Sequence, residues 1–299
     1  MWRRAIAWFV AIIVSFGLAV EMHGASRVVL VPHLRAGQVL HYKCLARMKR
    51  REHTGSYVAI GQGPEESQTQ ISINIVATVK EYRVDKGKPV VTMHAELESP
   101  QDPDNGKTVK GKLDFTIGRD GQVANLSGFE DLAAEQRVAW QFWLSQFAYG
   151  WTLPGKGVSP GEKWKTTEAE KTPTPIEDLV WERETTYVQN DKCPVTPVET
   201  CAVLLTNAAL KQKSFPGDTT PEAYKLHQLK TSGIAKGANE TITYVSLKTH
   251  LMMRGKEDVQ QMMDAIVAKA DGSNEVRYLI EANSQFETLW MNVSGASTK

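Results

Sequence analysis

Motifs that carry chemistry are scarce in this sequence. It has no His-Glu-x-x-His and no cysteine pair at metal-finger distance, so its seven histidines and three cysteines give no zinc signature. Gly106-Lys107 lacks the preceding glycine of a phosphate-binding loop. Asp102, Asp104 and Asn105 resemble part of a calcium loop, but Gly106 comes one position early and no acidic residue closes the loop at the required distance. Gly157-Val158-Ser159-Pro160-Gly161 fits the letter pattern of a serine-hydrolase elbow. That elbow needs a strand before it, a helix after it and an amide on the residue following the serine. Here a loop precedes, a predicted strand follows, and Pro160 has no amide hydrogen. Glu65-Glu66 lie beside Gly63 and Pro64 and read as loop charges. No catalytic residue, metal ligand or cofactor is therefore expected, and the chain reads as a non-enzyme; a hydrolase with an unrecognised site is the alternative.

An excess of charge of one sign is missing too. Taking Arg3, Arg4 and Glu21 of the first 25 residues away from 35 basic and 34 acidic residues leaves 33 of each. A nucleic-acid partner would call for a clustered basic excess. The densest basic run, Arg47 with Lys49-Arg50-Arg51, has no interleaved stacking aromatics and reads as a solvated strand end.

The N-terminus is the most informative segment. Arg3 and Arg4 precede an apolar stretch from Ala5 to Val14 that resumes after Ser15 and runs to Val20. A basic head and an apolar core of this length describe a secretory signal peptide. Cleavage is expected after Ala19, with Gly17 at −3, or after Ala25, with His23 at −3. The absence of a nearby cysteine argues against a lipoprotein anchor. A retained anchor is the alternative, and membrane contact would then come only through the uncleaved signal. The expected location is secreted or periplasmic. Asn125, Asn239 and Asn292 open glycosylation acceptor triplets, which matter only in a eukaryotic source.

An oxidising compartment permits a disulfide. Cys193 and Cys201 flank a loop with two prolines between predicted strands, and they are expected to pair across the mouth of a hairpin. Cys44, in the alternating run Val39 to Leu45, reads as a small buried side chain, with a cysteine nucleophile as the sharper alternative. His41 and Cys44 could share a metal in principle, but a strand places residues three apart on opposite faces.

Most of the remaining chain alternates apolar and polar residues between turn signals, the mark of β-strands. Ile71 to Val79 is the clearest case, turning at Asp85-Lys86-Gly87-Lys88 into Pro89 to Glu98. Val109 to Ile117 and Val123 to Leu126 form a second hairpin around Asp120-Gly121. Further strands are expected at 162–168, 178–190, 201–213, 224–232, 240–248 and 275–290; 256–269 fits helix or strand. One amphipathic helix is expected at 128–149. Ser127 and Glu130 have capping-box spacing, and Gly150 would close the helix. Leu132, Gln136, Trp140, Trp143, Leu144 and Phe147 fall on one face, with Glu135, Arg137, Gln141 and Ser145 opposite.

Three weak internal matches share nearly one offset. Leu34 to Leu40 resembles Val158 to Trp164, Phe115 and Tyr244 open similar strand–turn–strand units, and Ser127 to Leu132 resembles Arg254 to Val259. They suggest duplication of a unit of about 125 residues, a usual domain size. The expected organisation is a signal peptide at 1–25, a β-rich unit at 26–155 that includes the helix, a second β-rich unit at 156–292, and a frayed tail at 293–299. The fold class is mainly β with one helix, as two similar curved antiparallel half-barrel-like units in tandem.

The strand openings Arg35-Ala36-Gly37-Gln38 and Pro160-Gly161-Glu162-Lys163-Trp164, with Phe115 to Val123 before the helix, resemble a group of uncharacterised secreted bacterial β-rich proteins. There is a more distant architectural similarity to periplasmic lipoprotein carriers, in which helices close a curved sheet over an apolar cavity. The resemblance implies a secreted β-rich protein, transfers no activity and assigns no residue a function. Trp140, Trp143, Phe147 and Trp151 are the candidate lining for an apolar ligand, with packing of a core helix as the plainer reading. The expected partners are a lipid or another apolar ligand, or an envelope protein. A structural or protein-interaction module without a cavity is the second alternative.

Overall fold

The computed structural model describes residues 27–55, 65–99, 108, 110–118, 121–132, 134–170 and 174–291. The expected signal peptide, the Asp102–Asn105 loop, Asn292, the tail, and the side chains of Glu135 and Gln136 lie outside the described residues. Eleven strands follow in order: β1 (Val39–Gly55), β2 (Glu65–Asp85), β3 (Lys88–Glu98), β4 (Lys110–Ile117), β5 (Val123–Ser127), β6 (Lys163–Ala169), β7 (Leu179–Lys192), β8 (Thr200–Gln212), β9 (Leu229–Ser246), β10 (Met252–Lys269) and β11 (Val276–Trp290). Helix α1 (Ala134–Tyr149) follows β5 and runs into a 3-10 turn at Gly150–Thr152; the short α2 (Glu222–Leu226) precedes β9.

The strands form one open antiparallel sheet in the order β5-β4-β3-β2-β1-β11-β10-β9-β8-β7-β6, which makes the protein mainly β with a single substantial helix. The first five strands and the last six are each a meander. The two meet where β1 pairs with β11, from Tyr42 opposite Trp290 to Gly55 opposite Arg277. A strand alternates its side chains between two faces, and β1 buries Leu40, Tyr42 and Cys44 in one cluster with α1, with Ala46 buried further along the same face. This is the helix face of the sheet; Lys43, Leu45, Arg47 and Lys49 point to the outer face.

The two meanders open in the same way. Gly37 sits at φ +80° and donates its amide to the Val79 carbonyl (2.8 Å), while Val79 donates to Gln38 (2.9 Å). Gly161, at φ +90°, donates to Tyr187 (2.6 Å), and Tyr187 donates to Glu162 (3.0 Å). The ladder slips just after each acceptor, between Val79 and Glu81 and between Tyr187 and Gln189. Left-handed backbone of this kind favours glycine.

Several expectations are corrected. α1 starts at Ala134 rather than 128, because Ser127 is held extended opposite Asp114 in the β4–β5 ladder and cannot cap a helix. Gly150 does not close α1 in a left-handed cap. The helix tightens into the 3-10 turn and stops at Leu153, extended (φ −63°, ψ 150°) as the residue before Pro154 is expected to be. The segment 224–232 is not one strand: Pro221, with its fixed φ, introduces α2, and β9 begins at Leu229. Glu65 and Glu66 are not loop charges: they open β2 opposite Glu52 and Arg51, and Glu66 pairs with Lys49 and Arg51. The ambiguous segment 256–269 is β-strand. Val259, Met263 and Val267 lie on the helix face and Met262 and Ile266 on the outer face, so apolar residues on both faces hide the period of two.

Candidate ligand-binding site

α1 lies on the helix face of β1–β4 and reaches across toward β10. Residues three and four apart on a helix share a side, and this brings Trp140, Trp143 and Phe147 into one row that Trp151 extends from the 3-10 turn. Neighbouring rings in this row are each 5.2 Å apart between centroids. Tyr42 on β1 meets Phe147 at 5.8 Å, Phe115 on β4 meets Trp143 at 6.0 Å, and Phe142 stacks on Phe286 of β11 at 3.8 Å. Trp140, Trp143, Phe147 and Trp151 are 0, 0, 3 and 2% exposed and belong to one core cluster with Ile73, Ile75, Met93 and Leu97. The cavity beside Phe147 and Trp151 measures about 10 Å³, room for at most one water. The indole nitrogens of Trp140, Trp143 and Trp151 and the Tyr42 hydroxyl have no hydrogen-bond partner among the described residues, and burial raises the Tyr42 pKa.

Where α1 crosses onto β10, polar groups gather. Gln146 donates from Nε2 to Glu257 Oε2 (3.2 Å), Asn239 of β9 donates to the other carboxylate oxygen, and Thr241 donates to Asn239 (2.9 Å). Burial raises the pKa of Glu257, opposed by the positive charge of Arg183 on β7 and by the two amide donors. Arg183 in turn reaches Glu168 on β6 (3.4 Å). Beside this group, the Tyr149 hydroxyl meets Thr185 (2.8 Å) and Thr206 (3.3 Å). This cluster has no sequence signature: Gln146 and Glu257 are 111 residues apart. Asn239, a glycosylation acceptor by sequence, is buried and committed to Glu257, so it offers no attachment point for a glycan.

Below the polar group the helix face continues along β10 and β11. Val259, Met263, Ile280 and Tyr278 are half-buried there, with Met263 directly opposite Ile280. Gln261, opposite Ala282, interrupts the row between Val259 and Met263, Ala265 within it is fully buried, and Val259 and Met263 pack along one side on the cluster of Ile176, Trp181 and Leu210. From Val259 to Val267 the span is about 27 Å at about 3.4 Å per residue.

The remaining sequence candidates are placed as follows. Cys193 and Cys201 form the expected disulfide, with Cα atoms 5.0 Å apart where β7 hands over to β8. Cys44 is buried, accepts a long contact from Thr288, and burial pushes its thiol up to about 12, so it is not a thiolate nucleophile near neutral pH. His41 and Cys44 lie on opposite faces of β1. Ser159 sits in the turn before β6, where its carbonyl accepts from Glu162 (3.1 Å), with no helix following it. Among the described residues no group of three His, Cys, Asp or Glu side chains is placed to hold a metal ion, and no helix is long and apolar enough to cross a membrane.

These features define a mainly β protein whose open sheet carries one aromatic helix and one buried polar cluster. No protein-family model matches the chain, and no curated protein is similar to it. Among solved structures, one similar to it is described as "Asymmetric conductivity of engineered proteins". That chain is 8% identical, the likeness covers 85% of this chain and 100% of that one, and the TM-score of 0.23 carries no argument about function.

Proposed function

We propose that this is an exported, non-enzymatic protein that binds the acyl part of a lipid or lipoprotein on the helix face of its sheet. The observation that carries the reading is the half-buried apolar row of Val259, Met263, Ile280 and Tyr278, running away from α1 with the Glu257–Asn239–Gln146 group at its upper end. Long apolar rows with a few polar anchors are what acyl-chain sites require. The aromatic set Trp140, Trp143, Phe147 and Trp151 then serves as the packed support of the site, holding α1 in place, with Phe142 on Phe286 nearest the row. Export is supported by the Arg-led apolar leader and by a disulfide, which persists in oxidising compartments.

The test is mass spectrometry of acyl chains that co-purify with the secreted full-length protein, beside the Met263→Lys and Ile280→Lys variants. Bound lipid in the parent and its loss in both folded variants is the expected result. A lipid-free parent that also fails to take up fatty acid would overturn the reading and leave a structural or interaction module in its place.

A further inference from the structure

On the opposite side of the sheet, the basic run of β1 takes on a different meaning from the one its sequence suggests. The period of two sends Arg47 and Lys49 to the outer face and Arg50 to the helix face. Register then surrounds those two cations with amides. Gln285 of β11 lies beside Arg47; Gln68 of β2 and Asn283 of β11 flank Lys49, and Gln260 of β10 follows Asn283. Together these residues line a groove of about 260 Å³, about 14 Å across the four strands at their usual spacing.

The donor balance of this groove is unusual for an exposed sheet face. Four carboxamides occupy positions where strands favour threonine and other β-branched residues. Each amide brings two N–H donors and an acceptor without net charge. Asp258 is the one carboxylate lining the groove, and it lies 3.4 Å from Lys256. Lys49 shares Glu66 with Arg51 at distances of 3.5 and 2.5 Å, whereas no ion pair among the described residues holds Arg47. A planar guanidinium with donors to spare, next to an ammonium and a set of neutral amides, suits a doubly recognised ligand: an oxyanion for the cations and hydroxyl groups for the amides.

We infer that this groove binds a phosphate group carried on a polyol, with Arg47 and Lys49 on the phosphate and Gln68, Gln260, Asn283 and Gln285 on the hydroxyls. The chemistry is shared by soluble glycerol phosphates and by the headgroup of phosphatidylglycerol. The inference stands on the outer face and does not depend on the acyl row of the other side.

Titration calorimetry of the full chain with glycerol 3-phosphate, and sedimentation with phosphatidylglycerol or phosphatidylcholine vesicles, tests it. Binding to glycerol 3-phosphate or to phosphatidylglycerol vesicles is expected, weakened at least about tenfold in R47Q/K49Q, as loss of charged hydrogen bonds predicts, and unchanged in K110Q at the far end of β4. Asn283→Leu should weaken glycerol 3-phosphate while sparing inorganic phosphate. Binding to the vesicles alone assigns the ligand to the membrane; binding to both assigns it to the headgroup chemistry itself. No binding of either probe, or equal binding by the parent and R47Q/K49Q, would overturn the proposal.

Discussion

The two meanders start from the same turn, with Gly37 and Gly161 in left-handed backbone and each bonded to a strand that slips one residue later, yet they finish their cores in different ways. The first meander ends in the short strand β5 and then lays α1 over its own helix face, so one aromatic cluster fills the space in front of β1–β4. The second meander has no such helix. It covers its helix face piecemeal: the segment with Leu30, Leu153 and Val158 packs on Tyr187 and Leu204 at one end, and Ile176 packs with Trp181 and Leu210 at the other. A third small cluster holds the disulfide with Met253. The comparison teaches that the opening of a meander does not dictate how its face is sealed. One large cluster concentrates stability in a few big side chains, whereas several small ones distribute it and leave apolar positions half-covered, such as Met263 at the edge of the Trp181 cluster and Ile280 opposite it.

The sharpest way to break this comparison is to remove a central ring. Trp143 touches Tyr42, Phe115, Trp140 and Phe147. Trp143→Ala should cost about 3–5 kcal/mol, the range for large-to-small changes in a filled core. Native-state hydrogen exchange should show protection lost first in β1–β4, while β7 and β8 keep theirs. Uniform loss across all eleven strands would mean that the two halves seal as one cooperative core. In the second meander, the Cys193→Ser/Cys201→Ser pair should lower stability by about 2–3 kcal/mol on chain-entropy grounds, read as a urea midpoint shift that reductant reproduces in the parent and does not add to in the variant.

The junction between the halves should respond to pH. Glu257 has a folded-state pKa above its ordinary 4.5 because of burial. Below the unfolded pKa the carboxyl is protonated in both states and costs nothing. As pH rises through 4.5 toward the folded value, the unfolded chain releases its proton first, so stability falls across that window and then levels off. Glu257→Gln should flatten this part of the urea midpoint–pH curve and raise the midpoint at pH 7. Arg183→Gln, which removes the opposing positive charge, should deepen the fall. A parent curve that instead rises between pH 4.5 and 7 in step with Glu257 would reverse the assignment.

How far the sequence alone reached follows from the same physics. Ile71 to Val79 was readable as strand because one face is buried and the other meets solvent, whereas β10 was not, because Met262 and Ile266 make its outer face apolar as well. The apolar stripe of α1 was readable, but its start was not: Ser127 is drawn into the β4–β5 ladder, a tertiary preference that capping spacing cannot reveal. The disulfide was readable from the signal-like leader, which makes an oxidising compartment the expectation, and from a short proline loop. The Glu257 cluster and the Arg47 groove were not, since each gathers residues from three or more elements by strand register, and register leaves no trace in linear spacing.

The smallest effect tests the likeness of the two openings. At both Gly37 and Gly161 an added Cβ would meet nothing within 4 Å, so Gly37→Ala and Gly161→Ala would clash with nothing and would pay only for left-handed backbone, about 1–2 kcal/mol. If the turns are equivalent units, the two single costs should agree within about 0.5 kcal/mol and the double variant should equal their sum, as distant independent sites do. Asparagine at either position should cost less than alanine, because it tolerates this backbone better. A Gly37 cost well above that of Gly161 would instead tie the first turn to the position of β1, held between β2 and β11, while β6 has a partner on one side only. The likeness would then lie in the hydrogen bonds and not in the energetics, because an edge turn can fray without opening the sheet and an interior one cannot.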